Sequence, residues 1–154
     1  MDAQIFLTDI KAKFPDVLEI SGADAEKIKD KTLNLVVPAA SVYELVKYLK
    51  ETGFDYLMNL CATDYKINIE VIYHLYSYTT KGKVTLKVKL DREKPEVASV
   101  TPLHLGADWQ EREAYDMLGV IFTGHPDFRK ILLPADWEGY PLRKDYERKP
   151  DQYD

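Results

Sequence analysis

INIEVIYHLYSYTTKGKVTLKVKL, residues 67–90, is the stretch on which the fold turns. Ile67, Ile69, Val71, Tyr73 and Leu75 alternate with Asn68, Glu70 and His74. After a turn around Lys81-Gly82, Val84, Leu86, Val88 and Leu90 alternate with Thr85, Lys87 and Lys89. Successive side chains of a strand point to opposite faces, so a period of two marks a strand with one buried face. The pattern predicts an antiparallel hairpin whose apolar face meets a core and whose Thr85, Lys87 and Lys89 face water. His74 reads as an ordinary pleat residue, while Tyr73, Tyr76 and Tyr78 either fill the sheet or form an exposed contact strip.

Toward the N-terminus, Phe54, Tyr56, Met58 and Leu60 alternate with Asp55 and Asn59, which predicts a further half-buried strand over Phe54 to Leu60. Before it, Ser41 and Glu44 have capping-box spacing, Val42, Leu45, Val46 and Leu49 fall on one helical face, and Gly53 stands where the helix would stop. Leu33 to Val37, ended by Pro38, and Val17 to Ile20 read as two more strands, joined by a charged connection. Ala3 to Phe14 reads as an amphipathic helix with Ile5, Phe6 and Ile10 on its apolar side, closed by Pro15. The order α-β-β-α-β-β-β predicts an α+β fold of two layers, with helices on one face of a mixed or largely antiparallel sheet. A chain of 154 residues fits one such unit, with residues 1–106 as its core and 107–154 as a C-terminal helix and extended arm.

The composition changes at Ala107. Four of the five arginines (Arg112, Arg129, Arg143, Arg148) and both tryptophans (Trp109, Trp137) lie beyond it, whereas the first 106 residues hold thirteen lysines and only Arg92. Guanidinium pairs bidentately with carboxylates and indole fills pockets, so both types concentrate at the centres of protein interfaces. Asp108 to Leu118 is predicted as a helix capped by Asp108, with Glu111 at capping-box distance, and stopped by Gly119. Gly124, Pro126, Pro134, Gly139 and Pro141 then interrupt the chain too often for regular elements. They predict an extended arm laid partly over the domain's own sheet and partly over a neighbour. Trp109, Arg112, Glu113 and Asp116 share one face of the predicted helix, at i, i+3, i+4 and i+7. Two readings stay open: a solvated ion-pair ladder worth about 0.2–0.5 kcal/mol per pair, or a polar network tying helix to arm.

Several functions are disfavoured by what the chain is made of. A net charge of -5 leaves no basic stripe to neutralise phosphates, which sets nucleic acid aside. The single cysteine, Cys61, cannot form an internal disulfide, complete a Cys-rich zinc site or hold an iron–sulfur cluster, and its neighbours Leu60 and Ala62 predict a buried thiol. Neither G-x-G-x-x-G nor G-x-x-x-x-G-K-[ST] occurs. Glu113, Asp116 and His125 could form a carboxylate–imidazole site of a small metal hydrolase, yet none of His74, His104 and His125 has ligand spacing such as H-E-x-x-H. The N-terminus lacks the pattern of a secretory signal and no stretch approaches ~18 uninterrupted apolar residues. The expectation is a cytosolic chain that meets a membrane only through partners.

EREAYDMLGVIFTGHPDFRKIL, residues 111–132, resembles the signature of the C-type subunits of complex I, the 30 kDa subunit family of respiratory NADH:quinone oxidoreductases (NDH-1). Leu133-Pro134, Asp136-Trp137-Glu138-Gly139 and Pro141-Leu142-Arg143-Lys144-Asp145-Tyr146 resemble the family's closing motif, although Glu147 stands where proline is common. Gly53 to Leu57 and Ser99-Val100-Thr101 are similar to the family as well. The resemblance implies a non-catalytic subunit of the peripheral arm, on the cytoplasmic side of the membrane. It implies that the C-terminal arm packs on the D-type subunit, the large neighbour that helps form the quinone cavity. It implies that NADH, FMN, iron–sulfur clusters and quinone are bound by other subunits of the complex, with electron transfer coupled to proton translocation, and that this chain carries no cofactor. With the clustering of arginine and tryptophan, it nominates Trp109, Arg112, Glu113, Asp116, His125, Arg129, Trp137 and Arg143 as partner-interface residues. The motif also fits the equivalent subunit of membrane-bound hydrogenases and of deazaflavin- or ferredoxin-dependent complexes. A stand-alone metal hydrolase and a homo-oligomeric scaffold are the remaining alternatives.

Overall fold

The computed structural model describes residues 3–19 and 32–148. Ile20, the predicted connection through residue 31 and residues 149–154 lie outside the described residues. In chain order come α1 (Ala3–Lys13), β1 (Leu18–Glu19), β2 (Thr32–Val36), α2 (Val42–Glu51), β3 (Tyr56–Asp64), β4 (Asn68–Tyr76), β5 (Lys83–Asp91), β6 (Glu96–Ala98), α3 (Ala107–Leu118) and β7 (Ile121–Thr123). The first five strands form one sheet in the order β1-β2-β5-β4-β3, antiparallel except for the parallel β2–β5 pair. The mixed sheet of the α+β reading is therefore present.

The predicted hairpin lies inside the sheet, with β4 and β5 each flanked on both sides. Its register places Ile69 opposite Leu90, Val71 opposite Val88, Tyr73 opposite Leu86 and Leu75 opposite Val84, all eight buried. Phe6, Leu7 and Ile10 of α1 and Val42, Leu45, Val46 and Leu49 of α2 join them in one apolar cluster. Each fully buried aliphatic or aromatic side chain contributes about 1.5–3 kcal/mol. A slip of one residue would turn Lys87 and Lys89 into that cluster, so burial fixes the register.

Local chemistry fixes most element ends, and several expectations are corrected. Ser41 makes no side-chain capping bond, because a 3-10 turn over Ala39–Ser41 precedes α2 and leaves Ser41 in helical rather than extended backbone (φ -97°, ψ -6°). At the other end Gly53 (φ +99°) stops α2 as expected. The Gly53 amide donates to Lys50 O and the Phe54 amide to Leu49 O, the paired bonds of a Schellman ending. Strand β3 runs four residues beyond Leu60, and an irregularity between Leu57 and Asn59 breaks its predicted phase, leaving Phe54 and Leu60 buried as expected but not Tyr56 and Met58. Leu57 and Leu60 face the core while Tyr56 and Met58 are exposed, since an extra residue in a strand switches every later side chain to the other face. Ile67 is not a strand residue but is 86% exposed in the turn that follows Lys66, whose φ is +72°. Thr85, expected in water, is buried beside His74, whose Nδ1 lies 3.1 Å from its hydroxyl.

Sequence reading missed a second sheet. Glu96–Ala98 and Ile121–Thr123 pair in parallel, with Val97 opposite Phe122. The segment after Gly119 therefore contains a strand before it becomes irregular. Four residues between Gly119 and Gly124 are too few to show a period, so the pairing is decided by the burial of Val97, Val120 and Phe122.

Candidate functional site

Helix α3 organises everything downstream of it. Ala107, Glu111, Ala114 and Leu118 recur at i, i+4, i+7 and i+11 and form its buried face. A carboxylate in that row is expensive unless several donors hold it. Glu111 Oε2 accepts from Ser99 Oγ at 2.6 Å and from Thr101 Oγ1 at 3.1 Å, and Oε1 accepts from the Val100 amide at 2.8 Å. The predicted capping box is thus absent. Gly106 occupies the cap position, Asp108 lies inside the first turn, and Glu111 turns inward to the 99–101 segment. Burial pushes the Glu111 carboxyl above the usual glutamate range, opposed by its three donors and His125.

The sides of α3 are engaged on both flanks. Gln110 Oε1 accepts the Leu60 amide at 2.5 Å, covering a backbone donor on the edge strand β3. On the other flank, Arg112 donates from Nε to Arg129 O at 2.9 Å and from Nη2 to Lys130 O at 3.3 Å. Asp116 Oδ2 accepts the successive amides of Ile131, Leu132 and Leu133 at 2.9, 2.7 and 3.1 Å. The His125 side chain is fully buried. Its Nδ1 accepts the Asp127 amide at 3.0 Å, which leaves the proton on Nε2, 3.2 Å from Asp108 O. Arg112, Asp116 and His125 thus form the network that ties helix to arm, and the solvated-ladder reading of Arg112 and Asp116 falls.

The end of the helix is also closed by the arm. Gly119 takes a left-handed conformation (φ +75°), and the ring of Tyr140 lies where a side chain would begin, 2.7 Å from an added Cβ. The last carbonyls of a helix lack intrahelical donors and carry its negative pole. Here the Leu142 amide donates to Met117 O at 3.0 Å and Arg143 Nε to Leu118 O at 2.8 Å, so a cation satisfies that pole. The Arg143 guanidinium also lies 5.0 Å over the Tyr140 ring. Further along, buried Asp64 at the end of β3 accepts Arg92 Nε at 3.0 Å and Nη2 at 2.9 Å, and the Lys144 amide at 2.9 Å. Arg92 also reaches Asp145 at 2.8 Å.

The eight nominated residues therefore divide. Arg112, Asp116, His125 and Arg143 engage their own chain through their side chains. Trp109 is 70% exposed on the outward pole of α3, Glu113 and Arg129 are exposed, and Arg129 pairs with Asp127 at 2.6 Å. Trp137 is half-buried, and its carbonyl accepts Lys130 Nζ at 2.7 Å. Glu113, Asp116 and His125 do not converge: the first faces solvent, the second the 131–133 amides, and the third Asp108 and Asp127. Among the described residues no group of three or more His, Cys, Asp or Glu side chains is arranged to hold a metal ion. Cys61 is only partly buried, on the sheet face away from the core, and burial pushes its thiol up. Glu111, Asp64 and Arg92 escaped nomination, although Glu111 stands in helical register with Ala107, Ala114 and Leu118 and Arg92 is the lone arginine among lysines.

Residues 35–152 match the family described as the respiratory-chain NADH dehydrogenase 30 kDa subunit. The chain belongs to that family. It is 44% identical over 144 residues to the C-type subunit of the NADH-quinone oxidoreductase of Moorella thermoacetica, covering 92% of this chain and 93% of that protein. It is 33% identical over 156 residues to the C-type subunit of the F(420)H(2) dehydrogenase of Methanosarcina mazei, covering 99% and 96%. Among solved structures, a trypsin-resistant fragment of Nqo5 superposes with a TM-score of 0.69 at 26% identity, covering 82% of this chain and 99% of the fragment. A chain of an archaeal membrane-bound sulfane sulfur reductase shares the fold, with a TM-score of 0.79 over 96% of this chain and 86% of that one, at 24% identity.

Proposed function

We propose that this family member is a non-catalytic subunit of the peripheral arm of an NADH:quinone oxidoreductase, docked on the large D-type subunit and held by the complex at the cytoplasmic side of the membrane. The family match over residues 35–152 carries the reading. NADH, FMN, the iron–sulfur clusters and quinone belong to the neighbouring subunits, and this chain contributes shape and contacts. Among the described residues no helix is long and apolar enough to cross a membrane, which fits attachment through partners.

The interface residues fall into two roles in this reading. Trp109, Glu113 and Arg129 touch the partner, with an exposed indole as the anchor. Arg112, Asp116, His125 and Arg143 hold the arm in the shape the partner meets, and Trp137 stands where the arm folds back on Lys130. Truncating a central indole commonly costs an interface 2 kcal/mol or more, about a 30-fold loss of affinity. Trp109→Ala is expected to cut recovery of the subunit with quinone reductase activity by that order while the melting temperature of the isolated chain stays put. Normal recovery of both Trp109→Ala and Arg129→Ala would overturn the docking role.

A second reading is favoured by the F(420)H(2) dehydrogenase relative, which matches nearly the full length of both chains. The chain would then fill the equivalent place in a complex with another electron donor. Mass spectrometry of the polypeptides that co-purify from native membranes separates the two, because their donor-binding subunits differ.

A further inference from the structure

The core accounts for one face of the five-stranded sheet. Neither α1 nor α2 covers its other face, since their buried side chains gather with Val71, Tyr73, Leu86 and Val88 on the opposite side, while α3 runs along the edge strand β3. Cross-strand register sets out the residues of this second face row by row. Tyr56 lies opposite Tyr76 and Tyr76 opposite Lys83. Ile72 then pairs with Lys87 and Glu70 with Lys89. The contact between His74 Nδ1 and Thr85 Oγ1 fixes both side chains on this face, and the field of Lys87 lowers the pKa of His74 further after burial has done so.

Two features distinguish the face from ordinary solvated sheet. The first is aromatic. Tyr56, Tyr76 and Tyr78 form a cluster with ring centroids 5.4 and 5.0 Å from Tyr78, with Tyr56 45% and Tyr78 58% exposed and Lys81 Nζ 5.8 Å over the Tyr78 ring. Tyrosine provides large, stiff contact area and is enriched at interface centres. The second is charge. Lys83, Lys87 and Lys89 share one side of β5 and Lys81 precedes them in the turn, with Glu70 and Asp91 at the far end. This basic strip stands on a chain of net charge -5.

We propose that this tyrosine–lysine face docks a short acidic segment of a neighbouring protein subunit. The inference rests on the chain being one component of a larger assembly and adds a contact surface separate from α3 and the arm. Charge selects the occupant. Three lysines over six residue steps span about 20 Å, the length of a six-residue strand or a helix of roughly 13 residues. Within a Debye length of about 8 Å the strip attracts an acidic segment. A long polyanion or an anionic membrane would also meet the rest of a net-negative chain, which repels it.

Zero-length carbodiimide coupling of the intact complex, followed by mass spectrometry, tests the proposal directly. Lys83, Lys87 or Lys89 should become joined to Asp or Glu of a different subunit. Joining only within this chain or to a second copy of it, or none, would overturn the proposal. A chain with Lys83→Glu, Lys87→Glu and Lys89→Glu should be recovered with the complex about tenfold less at low salt, since three exposed ion pairs, each weak alone, are lost together and their charges reversed. Lys→Gln at the same positions should lose less and melt close to the wild type, which separates lost docking from the destabilisation that a Glu opposite Glu70 brings to the Lys→Glu chain. Loss on Trp109→Ala with full recovery of the triple variant would leave the assembly reading standing and sink this one. A wild-type chain that recovers no other subunit would sink both. Salt-sensitive binding of the purified chain to phosphatidylserine vesicles, without inter-subunit coupling, would reassign the face to a membrane surface.

Discussion

Glu111 shows how one side chain can be both costly and indispensable. It is fully buried, and its two oxygens are held by two hydroxyls and a backbone amide of the 99–101 segment. Burial outweighs those donors and raises its pKa. A carboxyl whose folded pKa is raised favours the fold in its protonated form. Its contribution is therefore complete below the ordinary glutamate range and is lost as pH climbs through the raised value. Glutamine keeps the shape and cannot ionise, and the hydroxyls of Ser99 and Thr101 can rotate to accept from its amide. Glu111→Gln is expected to melt within a few degrees of wild type at neutral pH, with a flatter stability profile across that window. Glu111→Ala strands the Val100 amide and both hydroxyls, which costs about 2–4 kcal/mol. For a chain of this size that is roughly 5–15 °C in calorimetry. Equal losses in both variants would show that the charge, rather than the hydrogen-bonding shape, holds the segment.

At the scale of elements, helix endings were the most legible feature and strand phase the least. Gly53 and Gly119 were readable as stops because a left-handed residue ends a helix and glycine adopts that conformation without a Cβ penalty. The irregularity at Leu57/Asn59 was hidden, because Phe54 to Leu60 alternates without a visible break and only the register against β4 reveals the extra residue that turns Tyr56 and Met58 outward. Glu111 was misassigned for a related reason: the S/T/D-x-x-E spacing fits both a capping box and a buried row, and local spacing cannot tell which neighbour arrives. Strands β6 and β7 depend on each other across more than twenty residues and have no local signal at all. Gly119 carries a prediction at this level. Alanine there must hold φ near +75° and place its Cβ 2.7 Å from the Tyr140 ring. The left-handed penalty of about 1–2 kcal/mol adds to an overpacking cost of about 1–3 kcal/mol. Gly119→Ala should lower stability by about 2–5 kcal/mol in urea. Pairing it with Tyr140→Ala should return the overpacking part alone. If the double variant were as unstable as the sum of the two single variants, the ring contact would not be the cause.

Over the whole molecule, the arm belongs to the body as much as to any neighbour. Asp116 gathers residues 131–133, the end of α3 takes Leu142 and Arg143, and Asp64 with Arg92 takes Lys144 and Asp145. Composition alone could announce an arm rich in arginine and tryptophan, but the residue types that grip a partner are those that grip the chain's own carbonyls and carboxylates. The last tether is the one whose strength pH can read out. The Arg92 guanidinium, with the Lys144 and Lys66 amides, holds the Asp64 carboxyl well below the usual carboxylate range against the opposing effect of burial. A depressed folded pKa contributes stability that is present above the ordinary aspartate range and is lost only as pH falls through the depressed value. The wild-type tether should thus persist through mild acid. Arg92→Ala returns Asp64 toward an ordinary pKa of about 3.9, so the folded and unfolded values converge: the variant should start from a lower stability at neutral pH and lose less of it in acid than wild type does. Asp64→Asn should remove the acid dependence of this tether altogether. At neutral pH Arg92→Ala should also expose the bonds after Arg143 and Lys144, with tryptic cleavage there about tenfold faster as local opening becomes easier. If Arg92→Ala and wild type lost stability equally steeply in acid and were cut at the same rate, the Asp64 carboxylate would be held by the backbone amides alone and the arm would not depend on the ion pair.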